Sequence, residues 1–476
     1  MSVTSCYTRG LTDDQNLDRF LQNCYNRCLT ADESLIVSVT QPLSLVDPLA
    51  VLQRFAYPRQ RTFYWENQQE SSAIAAWDSC QEKTIQNGKN RFQQTQEFID
   101  HYRHQIIEIG EPEFPEVGVK IFTSFTFFPT SSVASPFPSV TLFIPKWQVT
   151  RTKDSCFLTY NVPLSVQTKP SSIKAEIKQR RQEIADLSQS LVRFPFPLFS
   201  PATNQLQQPE SRQKCQFKKA VECALEDIHE NQLSKIVLSH HLDVLSSFHF
   251  NPFLSLHELR QKHPSCYIFS IGNSQGTTFI GATPERLFSL RKQQLISDAL
   301  AGSAPRGKSA IADREFAQTL LKSEKEKREH QAVSNYLIKQ LEALGLTPQR
   351  SRRQLLKLNN IQHLWTLIKA EVPSHLNPIE IVAKLHPTPA VAGVPTNIAC
   401  EKICEYETFD RALYAAPIGW LDFQGNAEFL VGIRSAMISK NQARLYAGAG
   451  IVAGSNPEKE LAEVQLKLQA MLKALR

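Results

Sequence analysis

The chain has 476 residues, of which 42% are hydrophobic, and its formal net charge at pH 7 is +7. This length and apolar fraction indicate a folded globular protein with a large core and exclude an intrinsically disordered chain. The small positive charge is mixed with acidic residues, which argues against a nucleic-acid-binding protein and suits a small anionic substrate.

The first half of the sequence has the alternation of an antiparallel β-sheet. Residues 1–33 are polar, carry no clear pattern and are treated as an N-terminal extension. Residues 34–55 predict a strand, a turn and a helix that opens at Asp47-Pro48, because aspartate caps helices and proline suits their first turn. Two strand pairs follow, at residues 61–70 with 72–78 and at 119–128 with 139–151.

A change of composition at residues 170–213 marks a connection between two halves. SSIKAEIKQRRQEIADLSQSL has a charged, helical period, and RFPFPLFSPATNQLQQPE then has four prolines and no regular pattern. We interpret this segment as a surface connection between a first half, 34–169, and a second half, 214–476, that carries most of the active site.

The second half alternates between helical and strand patterns. Helices are predicted at 216–232, from Ala310 to about Leu344, and at 457–476, where Pro457 occupies the first turn. LHPTPAVAGVP (385–395) predicts a rigid loop. Strands are predicted at 235–244, 266–272, 277–291, 409–425, 427–438 and 443–455.

Lys235 and Glu285 are the candidate base and acid. Each lies against an apolar, β-branched run, in SKIVLSHHLDV and GATPERLFSL. Apolar surroundings lower the proton affinity of an amine and raise that of a carboxyl group. The two side chains are therefore suited to acid–base catalysis near neutral pH.

Four glutamates have the spacing of a divalent-cation site. Glu326 and Glu329 share one helix face, and Glu460, Glu463 and Lys467 share another. The alternative is solvated charge on two exposed helices. Carboxylates suit Mg²⁺, whereas zinc normally recruits His or Cys.

A glycine-rich turn and an arginine are candidates for substrate binding. Gly448, Gly450 and Gly454 bring backbone N–H groups close to a ligand, or are ordinary turn residues. No Lys-Ser/Thr follows them, so a nucleotide-binding phosphate loop is disfavoured. Arg434 follows an apolar strand and either forms a structural ion pair or binds a substrate carboxylate, to which Tyr414 would add a hydroxyl donor.

Seven sequence strings occur in order between residues 215 and 476. They are GATPERLF, ALAGSAPRG, KREH, LHPTPAVAGVP, DRALYAAPIGW, FLVGIRSA and YAGAGIVAGSNPEKELAEVQLKL. Together they resemble the chorismate-utilising enzymes, which include isochorismate synthase, salicylate synthase, anthranilate synthase component I and aminodeoxychorismate synthase. A weaker likeness extends back to about Leu35. The resemblance implies a single large α/β (α+β) chorismate-binding domain over 34–476, with two antiparallel β-sheets packed as a sandwich and helices outside.

The resemblance also implies a cofactor and its ligands. Mg²⁺ would be bound by Glu329 and Glu463, with Glu326 and Glu460 beside them directly or through water. The ion would hold the ring carboxylate of chorismate.

Arg434 and Tyr414 would bind the enolpyruvyl carboxylate of chorismate. The remaining residues implied for the substrate pocket are Ala301, Gly302, Ser303, His386, Gly448, Ala449, Gly450 and Lys467. For His386 the alternative is a loop histidine that hydrogen-bonds to backbone before Pro387. The sequence departs from the family pattern at four places: Ser303 stands for the usual threonine, Ala416 for a glycine, Ser297-Asp298 for a common Thr-Glu, and TSFTFFP for a GGFAFD-like strand.

Within the family, members that add water carry a lysine where Lys235 stands. Ala301, within ALAG, resembles the isochorismate branch more than the PIAGT of anthranilate synthases. It also replaces the nucleophilic lysine of the PIKGT motif in aminodeoxychorismate synthases. We therefore expect an isochorismate synthase, an isomerase in which Lys235 deprotonates the water that attacks C2 and Glu285 protonates the departing C4 hydroxyl.

Other functions stay open at this point. Salicylate synthase shares the lysine, the acid and the metal ligands and goes on to eliminate pyruvate. An anthranilate synthase component I-like enzyme and a chorismate-binding protein without turnover are further alternatives. An RNA-binding surface would require a basic stripe with interleaved aromatic residues, and the sequence has none.

Cellular context is predicted only broadly. The ten cysteines form no disulfide-like framework and indicate free thiols in a reducing, cytoplasmic location. No run of about twenty apolar residues would span a membrane. We expect a monomer that acts in quinone (menaquinone or phylloquinone) synthesis.

Overall fold

The computed structural model describes residues 14–31, 34–86, 88–110, 117–130, 135–190, 211–359 and 361–475. Within these ranges the first half of the chain forms four helices and seven strands. Their bounds are α1 Asp14–Ala31, β1 Leu35–Leu43, α2 Pro48–Phe55, β2 Thr62–Asn67, β3 Ser72–Ile85, α3 Arg91–Arg103, β4 Ile106–Ile109, β5 Ile121–Phe125, β6 Val140–Arg151, β7 Cys156–Leu164 and α4 Pro170–Ser190.

The second half forms seven helices and thirteen strands within the same described ranges. Their bounds are α5 Ser211–His229, β8 Lys235–Leu245, α6 Pro252–Lys262, β9 Tyr267–Gly272, β10 Thr277–Thr283, β11 Arg286–Arg291, β12 Gln294–Pro305, α7 Ala310–Lys322, α8 Glu324–Glu342, β13 Gln349–Arg350, β14 Gln354–Lys357, β15 Ile361–Glu371, α9 Pro378–Leu385, β16 Gly393–Val394, α10 Thr396–Tyr406, β17 Pro417–Leu421, β18 Ala427–Val431, β19 Ser435–Ser439, β20 Gln442–Val452 and α11 Pro457–Leu472. None of these helices is both long and apolar enough to cross a membrane.

The strands join in one hydrogen-bonded network that forks at β6. One edge of β6 pairs with β3 along its length, and the other edge pairs with β5 at its start and with β7 at its end. From β3 one arm runs through β2, β9, β10, β19, β20 and β8. From β5 the other arm runs through β17, β18, β11, β12 and β15. All of these pairs are antiparallel, whereas β1 and β4 pair in parallel.

Buried side chains join the two arms. Trp65 of β2 and Tyr267 of β9 both donate hydrogen bonds to the carboxylate of Glu428 on β18, at 3.2 and 3.0 Å. The rings of Phe63 and Phe122 lie 4.3 Å apart across the same interface. A buried carboxylate with two donors and close aromatic rings both favour tight packing here, so the core continues between the arms.

Two helices are placed against these arms by their caps. The α8 helix packs on β12 and begins after Ser323, whose hydroxyl accepts from the backbone N–H of Glu326. The α11 helix packs on β20 and begins after Asn456, whose side chain accepts from the N–H groups of Glu458 and Lys459. These caps satisfy backbone donors that have no partner within a helix. They also fix the first turns of both helices, α8 beside β12 and α11 beside β20.

The α/β fold expected from the resemblance is confirmed. Its division into two separate sheets stays a prediction, because the described strands form one continuous network. The helix predicted in the connection is α4, whereas the proline-rich stretch after it falls outside the described residues. Within the N-terminal extension, α1 buries Leu17 and Leu21 in the core.

Several boundaries differ from the sequence prediction. The single helical stretch from Ala310 breaks at Ser323 into α7 and α8. The strand expected from residue 409 begins only at Pro417, because residues 409–416 turn and place Ala412 and Ala415 at positive φ. Alternation alone could not predict this turn, because Ala412 and Ala415 are not residues that favour positive φ.

Candidate active site

A cavity of about 160 Å³ lies where the two arms of the sheet meet α8 and α11. The first arm contributes residues of β8 and β20, and the second contributes residues of β12 and β15. Most of the predicted site residues line this cavity, namely Glu285, Ala301, Gly302, Ser303, Glu326, Glu329, Tyr414, Arg434, Gly448, Gly450, Glu460, Glu463 and Lys467. The fold therefore brings together residues that are up to 182 positions apart, from Glu285 to Lys467.

Glu285 is a buried carboxyl group in the junction between β10 and β11. Its backbone N–H donates to the hydroxyl of Thr283, and its carbonyl accepts from the N–H of Val431, so both strands and β18 fix its position. Burial raises the pKa of Glu285 to about 7, although the nearby Lys235 opposes the rise. A carboxyl group of this kind keeps its proton up to near neutral pH and can donate it.

Lys235 lies behind the cavity wall at the start of β8. Its ammonium Nζ is 2.8 Å from Glu329 Oε1, and the lysine side chain is only 5% exposed. Lys235 therefore contacts Glu329 as an ion-pair partner in this structure.

The four predicted metal ligands line one cavity but do not converge. Burial raises the pKa of Glu326 and of Glu460, and neighbouring carboxylates add to both shifts. For Glu329, burial alone would raise the pKa, but Lys235 outweighs it and the pKa is lowered. No three His, Cys, Asp or Glu side chains of the described residues are arranged as a metal site. The four oxygen-donor groups nevertheless fit a hard cation such as Mg²⁺ in their chemistry.

A β-bulge aims the backbone of β12 at these carboxylates. The register between β12 and β15 shifts between Ala301 and Ser303, and Gly302 takes a φ of +77°. The N–H of Ser303 then donates to Glu326 Oε2 at 3.1 Å. A Cβ on Gly302 would lie 3.1 Å from the same oxygen, so both conformation and space favour glycine.

Arg434 is held by a histidine that sequence reasoning missed. Its Nη2 lies 3.0 Å from Nε2 of His363, whose Nδ1 lies 2.9 Å from the hydroxyl of Ser303. Burial, with Arg434 beside it, holds the pKa of His363 well below its usual range. A neutral imidazole that accepts from Arg434 at Nε2 carries its proton on Nδ1 and donates to Ser303.

The glycines of β20 leave room for functional side chains. A Cβ on Gly448 would lie 2.9 Å from the hydroxyl of Tyr414, and one on Gly450 would lie 3.0 Å from Cε of Lys235. The carbonyl of Gly448 accepts from Lys467 Nζ at 2.8 Å. Close approach, and not a positive φ, is therefore the reason for glycine at these positions.

Two predicted substrate residues lie outside this cavity. His386 caps the end of α9, is buried, and its Nε2 lies 3.2 Å from the carbonyl oxygen of Phe127. This contact matches the alternative of a histidine that hydrogen-bonds to backbone, and a role of His386 in substrate binding stays a prediction. Ala449 is buried between Gly448 and Gly450 but does not line the cavity, because successive residues of a strand face opposite sides.

Other residues of the site were not predicted. Lys325 lines the cavity at its exposed side, and Arg411 supports the wall from behind by donating to the carbonyls of Val237 and Val391. Arg411 is fully buried and paired with Glu407. Its place in the motif DRALYAAPIGW was the available signal, because a charged residue beside an apolar run requires a partner.

Comparison with known proteins places this geometry in a family. A model described as chorismate binding enzyme matches residues 19–476. The chain is 30% identical to isochorismate synthase MenF of Bacillus subtilis (strain 168), over 93% of this chain and 94% of that protein. It is 38% identical to isochorismate synthase DhbC of the same organism, over 54% of this chain and 67% of the relative. The solved structure of MenF, the menaquinone-specific isochorismate synthase from Escherichia coli, matches with a TM-score of 0.72 and 25% identity, covering 96% of this chain and 100% of that chain.

Proposed function

This chain belongs to the family of chorismate-binding enzymes, and on that premise we propose that it is an isochorismate synthase, an isomerase that converts chorismate to isochorismate. The observation that carries the proposal is the buried Glu285, whose pKa is raised to about 7 beside Lys235 and Arg434. A protein that only bound chorismate would need the cations but not a protonated acid among them. The relatives with the names given above support the same activity.

Arg434 and Tyr414 bind the enolpyruvyl carboxylate in the proposed mechanism. The His363 ring orients the guanidinium of Arg434 by accepting a hydrogen bond, so the charge is fixed before the substrate arrives. Burial raises the pKa of Tyr414, which keeps its hydroxyl a donor at neutral pH.

The reaction exchanges one hydroxyl group for another. Lys235 removes a proton from a water molecule while the oxygen of that water bonds to C2 of chorismate. The ring double bonds then shift, and the C4–O bond breaks. Glu285 supplies the proton with which the C4 hydroxyl leaves as water. The base role requires that Lys235 leave Glu329, with which it is paired in this structure. Either group is expected to contribute about 10²–10⁴ in rate.

Glu329 and Glu463 are proposed to hold Mg²⁺, with Glu326 and Glu460 beside them. When bound, the ion would supply positive charge for the ring carboxylate of chorismate. We also propose a cytoplasmic monomer that serves quinone synthesis, menaquinone in particular, because two of the relatives are MenF proteins.

Product analysis tests the proposal. Purified protein incubated with chorismate and Mg²⁺ should form isochorismate, separated by chromatography, whereas Lys235→Ala and Glu285→Gln should still bind chorismate but turn it over about 10²–10⁴-fold more slowly. Accumulation of salicylate and pyruvate would favour salicylate synthase instead. Near-normal turnover of Lys235→Ala would remove the general base from the mechanism.

A further inference from the structure

Two of the four glutamates in the cavity already form ion pairs with lysine side chains. Lys235 Nζ lies 2.8 Å from Glu329 Oε1, and Lys467 Nζ lies 2.8 Å from Glu463 Oε1. Glu326 and Glu460 form no ion pair with any residue that the structure describes. The paired glutamates are thus the two that we propose as direct ligands of Mg²⁺.

The fold fixes both ammonium groups at these positions. Lys467 lies one helical turn after Glu463 on α11, and its Nζ also donates to the carbonyl of Gly448 at 2.8 Å. Lys235 is buried at the start of β8, and its stem fills the space that the absent side chain of Gly450 leaves. Each lysine is therefore aimed at its glutamate by two elements. The Lys235–Glu329 pair is largely buried, whereas the side chain of Glu463 is 41% exposed and its pair depends on the second contact of Lys467 with Gly448.

The cavity is also close to charge balance without any added ion. Its cations are Lys235 behind the wall and Lys325, Arg434 and Lys467 on it, four in all, and the four proposed ligands carry four negative charges. A dianionic substrate consequently finds no excess of positive charge. A divalent cation would supply the missing two charges, but it must take carboxylate oxygens that the lysines already contact.

We propose that Lys467 and Lys235 are built-in competitors of the divalent cation, each holding one carboxylate ligand until the metal displaces it. The inference rests on the metal site of the proposed function. Displacement separates Lys235 from Glu329, so metal binding and the release of this lysine are one event. Lys467 keeps the carbonyl of Gly448 as a partner after displacement.

Calorimetric titration of Mg²⁺ into the metal-free, full-length protein without chorismate tests this competition. Lys467→Met should bind Mg²⁺ roughly tenfold more tightly than the wild type, because the metal no longer breaks a charged hydrogen bond. Lys325→Met is the matched control, since Lys325 lines the same cavity and no ion pair of it exists in the described part of the chain. Both variants remove one positive charge, so a general electrostatic effect is common to both.

Equal Mg²⁺ affinities of Lys467→Met and Lys325→Met would overturn the proposal, and so would the absence of Mg²⁺ binding to all variants. Lys467→Gln keeps a donor for Gly448 without the charge and should reproduce the tighter binding, even if Lys467→Met unfolds. Because no chorismate is present, a wild-type protein without turnover contradicts the proposed function and leaves this comparison of affinities intact.

Discussion

Glu285 and His363 show how burial sets the chemistry of single residues in this site. Burial raises the pKa of the Glu285 carboxyl to about 7 and lowers that of the His363 imidazole. His363 is therefore uncharged near neutral pH and can accept from Arg434, whereas Glu285 keeps its proton only up to about pH 7 and can donate it. Arg434 thereby keeps a neutral hydrogen-bond acceptor beside it, and Glu285 keeps a proton that it can donate.

The pH profile of kcat/KM should report this acid. The donor role needs protonated Glu285, whose pKa is raised to about 7, so activity is present below that pH and is lost as the pH rises through it. Initial rates measured against pH at constant ionic strength check this. Glu285→Gln is the control, and its residual activity should lack the alkaline decline. If kcat/KM of Glu285→Gln declined over the same pH range, the decline would belong to another group.

The sequence singled out Lys235, Glu285 and the four glutamates as candidates because their motifs carry the chemistry locally, and the structure places them in or beside one cavity. Sequence reasoning missed His363 because no local feature reveals the contact with Arg434, 71 residues away in the chain. It placed His386 in the substrate pocket because the motif adjoins the site, whereas the end of α9 turns the ring toward Phe127. Sequence motifs thus identify chemical groups, and packing decides which way they point.

At the scale of elements, the bulge in β12 links the sheet to α8. Gly302 interrupts the pairing with β15 so that the next N–H reaches Glu326 on α8. Such a bulge re-aims the backbone without ending the strand. The position of Glu326 therefore depends on the conformation of one glycine.

Gly302→Ala should lower both stability and activity. A positive φ costs a non-glycine residue about 1–2 kcal/mol, and the new Cβ would also press on the Glu326 side chain at 3.1 Å. Gly276→Ala is the matched control, since φ is +84° there and nothing lies within 4 Å of the new Cβ. Chemical denaturation should show a lower free energy of unfolding in both variants, whereas turnover should fall only in Gly302→Ala. Equal turnover in the two would contradict a role of the bulge in placing Glu326.

The hairpin between β11 and β12 is a second element with a conformational cost. Its two central residues, Lys292 and Gln293, have φ of 49° and 66°, in a turn type that favours Asn-Gly. Gln293→Gly should therefore raise the free energy of unfolding by about 1 kcal/mol. Thermal melting measures the change, and Gln294→Gly, at the first residue of β12, should instead destabilise the protein. A lower melting temperature for Gln293→Gly would contradict the strain assigned to this turn.

At the scale of the whole molecule, the forked sheet brings both of its arms to the candidate active site. The first arm presents Gly448 and Gly450 with Lys235 behind them, the second presents the bulge at Gly302, and α8 and α11 add the carboxylates. The α/β class and the family could be predicted from motif order. The fork at β6 could not, because β6 pairs with its chain neighbours β5 and β7 along one edge and with the more distant β3 along the other.

The central claim is that water supplies a new hydroxyl at C2 of chorismate while the hydroxyl at C4 leaves as water. Turnover of chorismate in water enriched in oxygen-18, followed by mass spectrometry of the product, tests it most directly. The account predicts isochorismate with one solvent oxygen, located at C2, and an unlabelled pool of remaining chorismate at early times. Isochorismate without solvent oxygen would contradict the roles assigned to Lys235 and Glu285, because no water would then have been activated.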